Sequence, residues 1–227
     1  MATMIIYCSP AKTFKKVSVG APDNDLFKEQ RNYLLDKLVK MSVKELQTLY
    51  RSSLNIAQLA YDAYQSPINM GPAIHVFNGA AFKSLDVNTL SEQELSILND
   101  SLLIGDAYYG LIKPSTQLHH YRLDYTMNSS LINYWKETIN DYLEKSLDNK
   151  KTLIDLSSTE YSQLLDTTRL RQHVNIIQPT FEKANSYQLK KARGLMIRYL
   201  VQNPQKKVED FNLDGYKHIG NYLFAKE

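Results

Sequence analysis

The chain has a single cysteine, Cys8, so no internal disulfide can form. Cys8 closes the apolar run Met4-Ile5-Ile6-Tyr7-Cys8, which reads as the setting of a buried structural thiol. There is no signal-peptide pattern and no apolar stretch long enough to span a bilayer, so a cytoplasmic protein without membrane contact is expected. Metal-ligand spacing is also missing. His75, His119, His120, His173 and His218 are scattered, and the adjacent His119 and His120 cannot share a helix face. No protein-bound metal and no cofactor are expected. A net charge of +3 is too small to argue for a nucleic-acid partner, so electrostatic reasoning must rest on local clusters. No repeat, low-complexity segment or linker divides the 227 residues, which suits one domain over 1–227 with a substantial core.

What is abundant is tyrosine, with 16 copies. Its apolar ring and polar tip suit half-wet clefts as well as cores. Helical spacing covers 25–41, 55–64 and 130–147, and Ser42-Val43-Lys44-Glu45 and Ser91-Glu92-Gln93-Glu94 each form a capping box that opens a helix. Apolar runs predict strands at 4–8, 73–77, 102–104, 152–156 and 174–181, an extended segment at 122–127 and a hairpin at 215–224. Residues 105–114 read as an aromatic loop. Strands recurring between helices argue a mixed α/β or α+β fold.

Residues 189–200 read LKKARGLMIRYL. On a helical wheel Lys190, Lys191, Arg193 and Arg198 share one arc with Gly194 near its middle. Leu189, Ala192, Leu195, Met196, Tyr199 and Leu200 form the opposite, core-facing side. A glycine costs roughly 1 kcal/mol in a helix interior. This face is therefore either a solvated basic surface with a tolerated glycine, or a place where a phosphate approaches the backbone. Ser9-Pro10-Ala11-Lys12-Thr13 follows the first strand, where α/β folds build ligand crevices. Ser9, Lys12 and Thr13 offer phosphate donors there, without the glycines of a Walker loop. Alternation in Tyr121-Arg122-Leu123-Asp124 puts Arg122 and Asp124 on one strand face, as an ion pair or as a phosphate fork oriented by its carboxylate. Glu160 and Tyr161 stand at a helix start, where Glu160 either caps or serves as a supporting acid or base. The stretch Gly105 to Gly110 is a candidate glycine hairpin with amides facing phosphates, and Tyr108 and Tyr109 are candidates for stacking on bases.

Seven short strings occur in order: Ser9-Pro10-Ala11-Lys12-Thr13; Tyr109-Gly110 with Pro114; Tyr121-Arg122-Leu123-Asp124 with Met127; Tyr134-Trp135; Asp155-Leu156-Ser157-Ser158-Thr159-Glu160-Tyr161; Lys190-Lys191-Ala192-Arg193-Gly194; and Gly215-Tyr216. Together they resemble the YaaA family, bacterial peroxide-stress proteins, over nearly the whole chain. The resemblance implies a cytoplasmic, mixed α/β single domain with a positively charged cleft and a helix-hairpin-helix-like element. It also implies DNA as partner and a role in limiting free iron, with no firmly attached reaction. Three readings follow. The first is a weakly sequence-selective DNA binder using Lys12, Arg122, Lys190, Lys191, Arg193 and Arg198. The second is an enzyme acting on a phosphorylated or nucleotide-like small molecule in the same cleft. The third, direct iron binding, has few ligands to support it.

Overall fold

The computed structural model describes residues 4–147, 152–182 and 184–226. In chain order the elements are β1 (Met4–Cys8), α1 (Lys28–Leu38), α2 (Val43–Tyr50), α3 (Leu54–Gln65), β2 (Asn69–Pro72), α4 (Ala73–Val76), α5 (Ala80–Leu85), α6 (Glu92–Ser101), β3 (Leu102–Asp106), β4 (Gly110–Ile112) and β5 (Gln117–His119). There follow α7 (Ser130–Ser146), β6 (Thr152–Asp155), α8 (Thr159–Ser162), α9 (Thr167–Leu170), β7 (Asn175–Ile177), β8 (Thr180–Phe181), α10 (Ser186–Gln202), β9 (Tyr216–Gly220) and β10 (Leu223–Lys226). Both capping boxes form as the sequence predicts: the Ser42 and Ser91 side chains accept from the Glu45 and Glu94 amides, and the two glutamates return the bond.

Five strands make the main sheet, in the order β4-β3-β1-β6-β7. β1 is central and pairs in parallel with β3 on one side and β6 on the other. β7 extends the parallel set and β4 adds an antiparallel edge, so this is a mixed sheet within a mixed α/β domain. Every residue of β1 and β3 is buried, which explains why these strands read as continuous apolar runs without alternation. The chain builds β3 and β4 on one side of β1, then returns to build β6 and β7 on the other. Loops leaving the carboxyl ends of β1 and β6 therefore part from each other, and such a switch point is where open α/β sheets hold ligands. No helix among the described residues is long and apolar enough to cross a membrane.

Four expectations are corrected. Residues 73–76 form one helical turn, because the Ala73 and Ile74 amides donate to the Thr116 and Pro114 carbonyls and not to a strand; the strand of this region is β2. A short buried apolar run does not distinguish the two by periodicity. The run 174–181 splits at Gln178-Pro179 into β7 of the main sheet and β8 of a small sheet ordered β8-β10-β9. Pro179 has no N–H to continue a ladder. The aromatic loop at 105–114 is instead the hairpin of β3 and β4, and its glycines serve packing. Gly110 adopts φ +75° beneath the rings of Trp135 and Phe27. Residues 122–127 form no strand: 122–124 are irregular and 125–127 form a turn, in which the Asp124 carbonyl accepts from the Met127 and Asn128 amides.

Gly194 answers the question that the helix posed. It is buried, and a Cβ there would sit 1.9 Å from the Ala81 carbonyl oxygen and 2.3 Å from Ser84 Oγ. What approaches the α10 backbone is the backbone of α5, sealed by Ser84 Oγ donating to the Lys191 carbonyl at 2.8 Å. Gly194→Ala should therefore destabilise the fold by about 2–3 kcal/mol through overpacking, despite alanine's better helix propensity. Gly20→Ala, with nothing within 4 Å of the new Cβ, is the near-neutral control in urea denaturation.

Candidate functional site

A cavity of about 640 Å³ opens at the switch point. Its walls are the loop after β1 (Cys8 to Thr13), the segment after β6 (Leu156, Ser158, Glu160, Tyr161), the Asn78–Lys83 region and one stripe of α10. Tyr187, Lys190, Arg193 and Ile197 make that stripe. Their spacing of three, three and four residues keeps them on one helix face. Crossing of α10 over α5 at Gly194 brings this stripe against Ala80, Ala81, Phe82 and Lys83.

The two strand-end loops are tied together. Ser9 Oγ accepts from the Ser158 amide at 2.8 Å and lies 3.2 Å from Ser158 Oγ. The Asn78 amide donates to the Thr13 carbonyl at 2.9 Å, which fixes the far end of the first loop. Lys12 Nζ lies 3.0 Å from Asp124 Oδ2 and 3.8 Å from Glu160 Oε2. Asp124 is buried at 2% side-chain exposure, whereas Lys12 is 48% exposed, so the lysine bridges an interior carboxylate to the cleft. Asp124 Oδ1 accepts from the Thr126 and Met127 amides and from Thr126 Oγ1. Behind Lys12, Arg122 donates to the Lys12 carbonyl at 3.4 Å and stands 3.7 Å from Asp124.

This environment separates the two acids. Burial pushes Asp124 up, but its Thr126 and Lys12 hydrogen bonds outweigh it and hold the carboxyl below the usual range. Glu160 is raised, by burial first and by the Asp124 charge, with Lys12 opposing. Burial also pushes the Cys8 thiol well up, with the Asp155 charge adding to it. Among the described residues no group of three or more His, Cys, Asp or Glu is placed to hold a metal ion.

Of the residues singled out in the sequence, Ser9, Lys12, Thr13, Glu160, Tyr161, Lys190 and Arg193 line the cavity. The others do not. Lys191 turns to Asp214 at 3.1 Å, and Arg198 donates to the Leu85 and Asp86 carbonyls, anchoring α10 to the end of α5. Gly194 is covered by α5, so no phosphate meets its backbone. Arg122 and Asp124 support Lys12 from the irregular segment before a turn, not from a strand face. Tyr108 and Tyr109 are buried and cannot stack on a base: Tyr109 Oη accepts from the His119 amide at 3.0 Å. Two of the 105–110 amides, those of Tyr108 and Tyr109, are taken by Asp106 Oδ1. This stretch is a β-hairpin, not a helix-hairpin-helix element. Sequence reasoning missed Tyr187, Lys83, Asn78 and Ser158 as lining residues. Tyr187 was legible, since it stands three residues before Lys190 on the same face.

The fold and cavity define a mixed α/β protein with a ligand-sized crevice at its switch point. Residues 4–221 match the family model described as peroxide stress protein YaaA, and the chain belongs to that family. It is similar to the UPF0246 protein of Flavobacterium psychrophilum, 33% identical with 96% of each chain covered. UPF0246 proteins of Fusobacterium nucleatum (33% identity, 88% of each chain) and Finegoldia magna (31%, 95% of this chain and 92% of that one) are also similar.

Below the cavity, Asp106 is fully enclosed and accepts from Tyr121 Oη as well as the two amides. Burial raises its carboxyl to about 6 against these bonds. The folded state thus holds this proton more tightly than the unfolded chain. The resulting stability is complete below the ordinary value near 4 and is lost as pH rises through about 6. Compared with Asp106→Asn, the wild type should lose roughly 2–3 kcal/mol of unfolding free energy between pH 4 and 7, measured by denaturant titration at each pH.

Proposed function

We propose that this member of the peroxide-stress family binds DNA through the phosphate backbone at the mouth of this cleft, and so limits iron-dependent oxidative damage to it. The observation that carries the reading is the makeup of the lining. Lys12, Lys83, Lys190 and Arg193 reach the cavity and Glu160 is its one carboxylate among the described residues, a balance that favours an anionic ligand. Lys12 is already shared between two acids, whereas among the described residues Lys190 and Arg193 have no ion pair within 4 Å, although Arg193 feels the charge of the buried Asp155. Phosphate contacts supply affinity with little sequence information, so weak sequence preference is expected. Replacing Lys190 and Arg193 together with alanine should weaken duplex binding and reduce the magnitude of the log K against log salt slope by about 2. Lys191→Ala should change the slope less, because that lysine is held by Asp214. Anisotropy titrations across a salt series measure both, and an unchanged slope in the double variant removes the cleft from DNA binding.

A second reading, an enzyme acting on a phosphorylated or nucleotide-like small molecule, is favoured by one observation. Lys12 stands between two carboxyls whose proton affinities are pushed in opposite directions. Such separation is how a site assigns an acid and a base. On this reading Glu160, beside the cavity, moves the proton and Asp124 holds Lys12. Glu160→Gln should then abolish turnover of any substrate found by screening phosphorylated metabolites, while leaving its binding within about threefold.

A further inference from the structure

Tyr187 is 67% exposed, the most exposed of the large hydrophobic residues in the described chain, and it lies on the wall of the cavity. Among the described residues no aromatic ring and no cation stacks on it. The tyrosines nearest the strand-end loops are spent on the core: Tyr108, Tyr109, Tyr121, Tyr125 and Tyr161 are all buried, and the other strongly exposed tyrosine, Tyr33, is stacked on Tyr134 away from the cavity lining. A lone exposed ring elsewhere on a surface would need no explanation. This one begins the stripe that continues with Lys190 and Arg193, in a cavity that Ala81 and Phe82 also line.

We propose that the recognition unit of the cleft is a single nucleotide, its base stacked on Tyr187 and its phosphate held by Lys190 and Arg193. The proposal rests on the reading of the cleft as a phosphate-binding site and names what else the ligand carries. Four features support it. The cavity, about 640 Å³, lies in the usual range for small-molecule sites of about 300–1,000 Å³. Along α10, Lys190 and Arg193 follow Tyr187 by about 4.5 and 9 Å, a span that brackets the distance from a base to its own phosphate. The stripe carries both kinds of group a nucleotide needs, a π face and cations, on one rigid helix. Finally, Glu160 stands on the strand-loop side of the cavity with Lys12, so the phosphate is favoured at the α10 side, away from that carboxylate.

Isothermal titration of the full chain with adenosine monophosphate, adenosine and inorganic phosphate tests this, alongside duplex DNA by anisotropy. The expected result is that the nucleotide binds at least tenfold more tightly than either fragment. Tyr187→Ala, an exposed position that the fold does not need, should cost the nucleotide 5- to 100-fold, in line with base–aromatic stacking. It should leave phosphate unchanged, and Tyr187→Phe should retain nucleotide affinity. If nucleotide and phosphate bind equally, or Tyr187→Ala weakens neither, the proposal is overturned and the cleft is a bare anion site. If duplex DNA binds with a Lys190/Arg193-dependent salt slope while the nucleotide does not bind, the proposal falls and the DNA reading stands. Nucleotide binding that needs Tyr187, without duplex binding, upholds the proposal and removes the DNA reading.

Discussion

The approach of α10 to α5 at Gly194 is the contact on which the rest of the site depends. Two helices whose backbones touch must present side chains to either side of the crossing and cannot place any between them. On one side the stripe from Tyr187 to Ile197 is turned into the crevice above the sheet. On the other, Arg198 and Ser84 spend their polar atoms on the carbonyls of the opposing helix. The sheet contributes the second half of the crevice, because β1 and β6 are neighbours whose following loops diverge. Neither half makes a cavity without the other.

Much of the fold was legible because local chemistry agreed with it. Capping boxes, the central apolar strands and the C-terminal hairpin all formed where their residues demanded. Misreadings cluster where a short segment has its state decided by distant partners. The amides of Ala73 and Ile74 are claimed by residues some forty positions later, and 174–181 is shared between two sheets. The site was legible in part for a similar reason. A helical wheel orders side chains around an axis but does not say which neighbour each one meets. Lys190 and Arg193 reached the cavity, whereas Lys191 and Arg198, on the same arc, found partners in Asp214 and the end of α5.

The wealth of tyrosine also has a structural account. Asp106 sits at the end of β3 with its carboxylate and carbonyl both used, by Tyr121 and Tyr125 hydroxyls and by two backbone amides. Tyr50 and Tyr64 share a hydroxyl contact of 2.7 Å, and Tyr64 passes a bond on to the Arg122 carbonyl. Phenolic tips here satisfy buried polar atoms that aliphatic side chains would leave orphaned. The same layer supports the turn that carries Asp124, and so holds Lys12 in place from below.

Cys8 ends the central strand at the wall of the cavity, yet only 4% of it is exposed and its thiolate is disfavoured by burial and by Asp155. Peroxide oxidises thiolates, and selects those that are ionised and accessible. The chain's single sulfhydryl is neither. Cys8 thus closes the central strand as a packing group, shielded from the attack that an ionised, open thiol would invite.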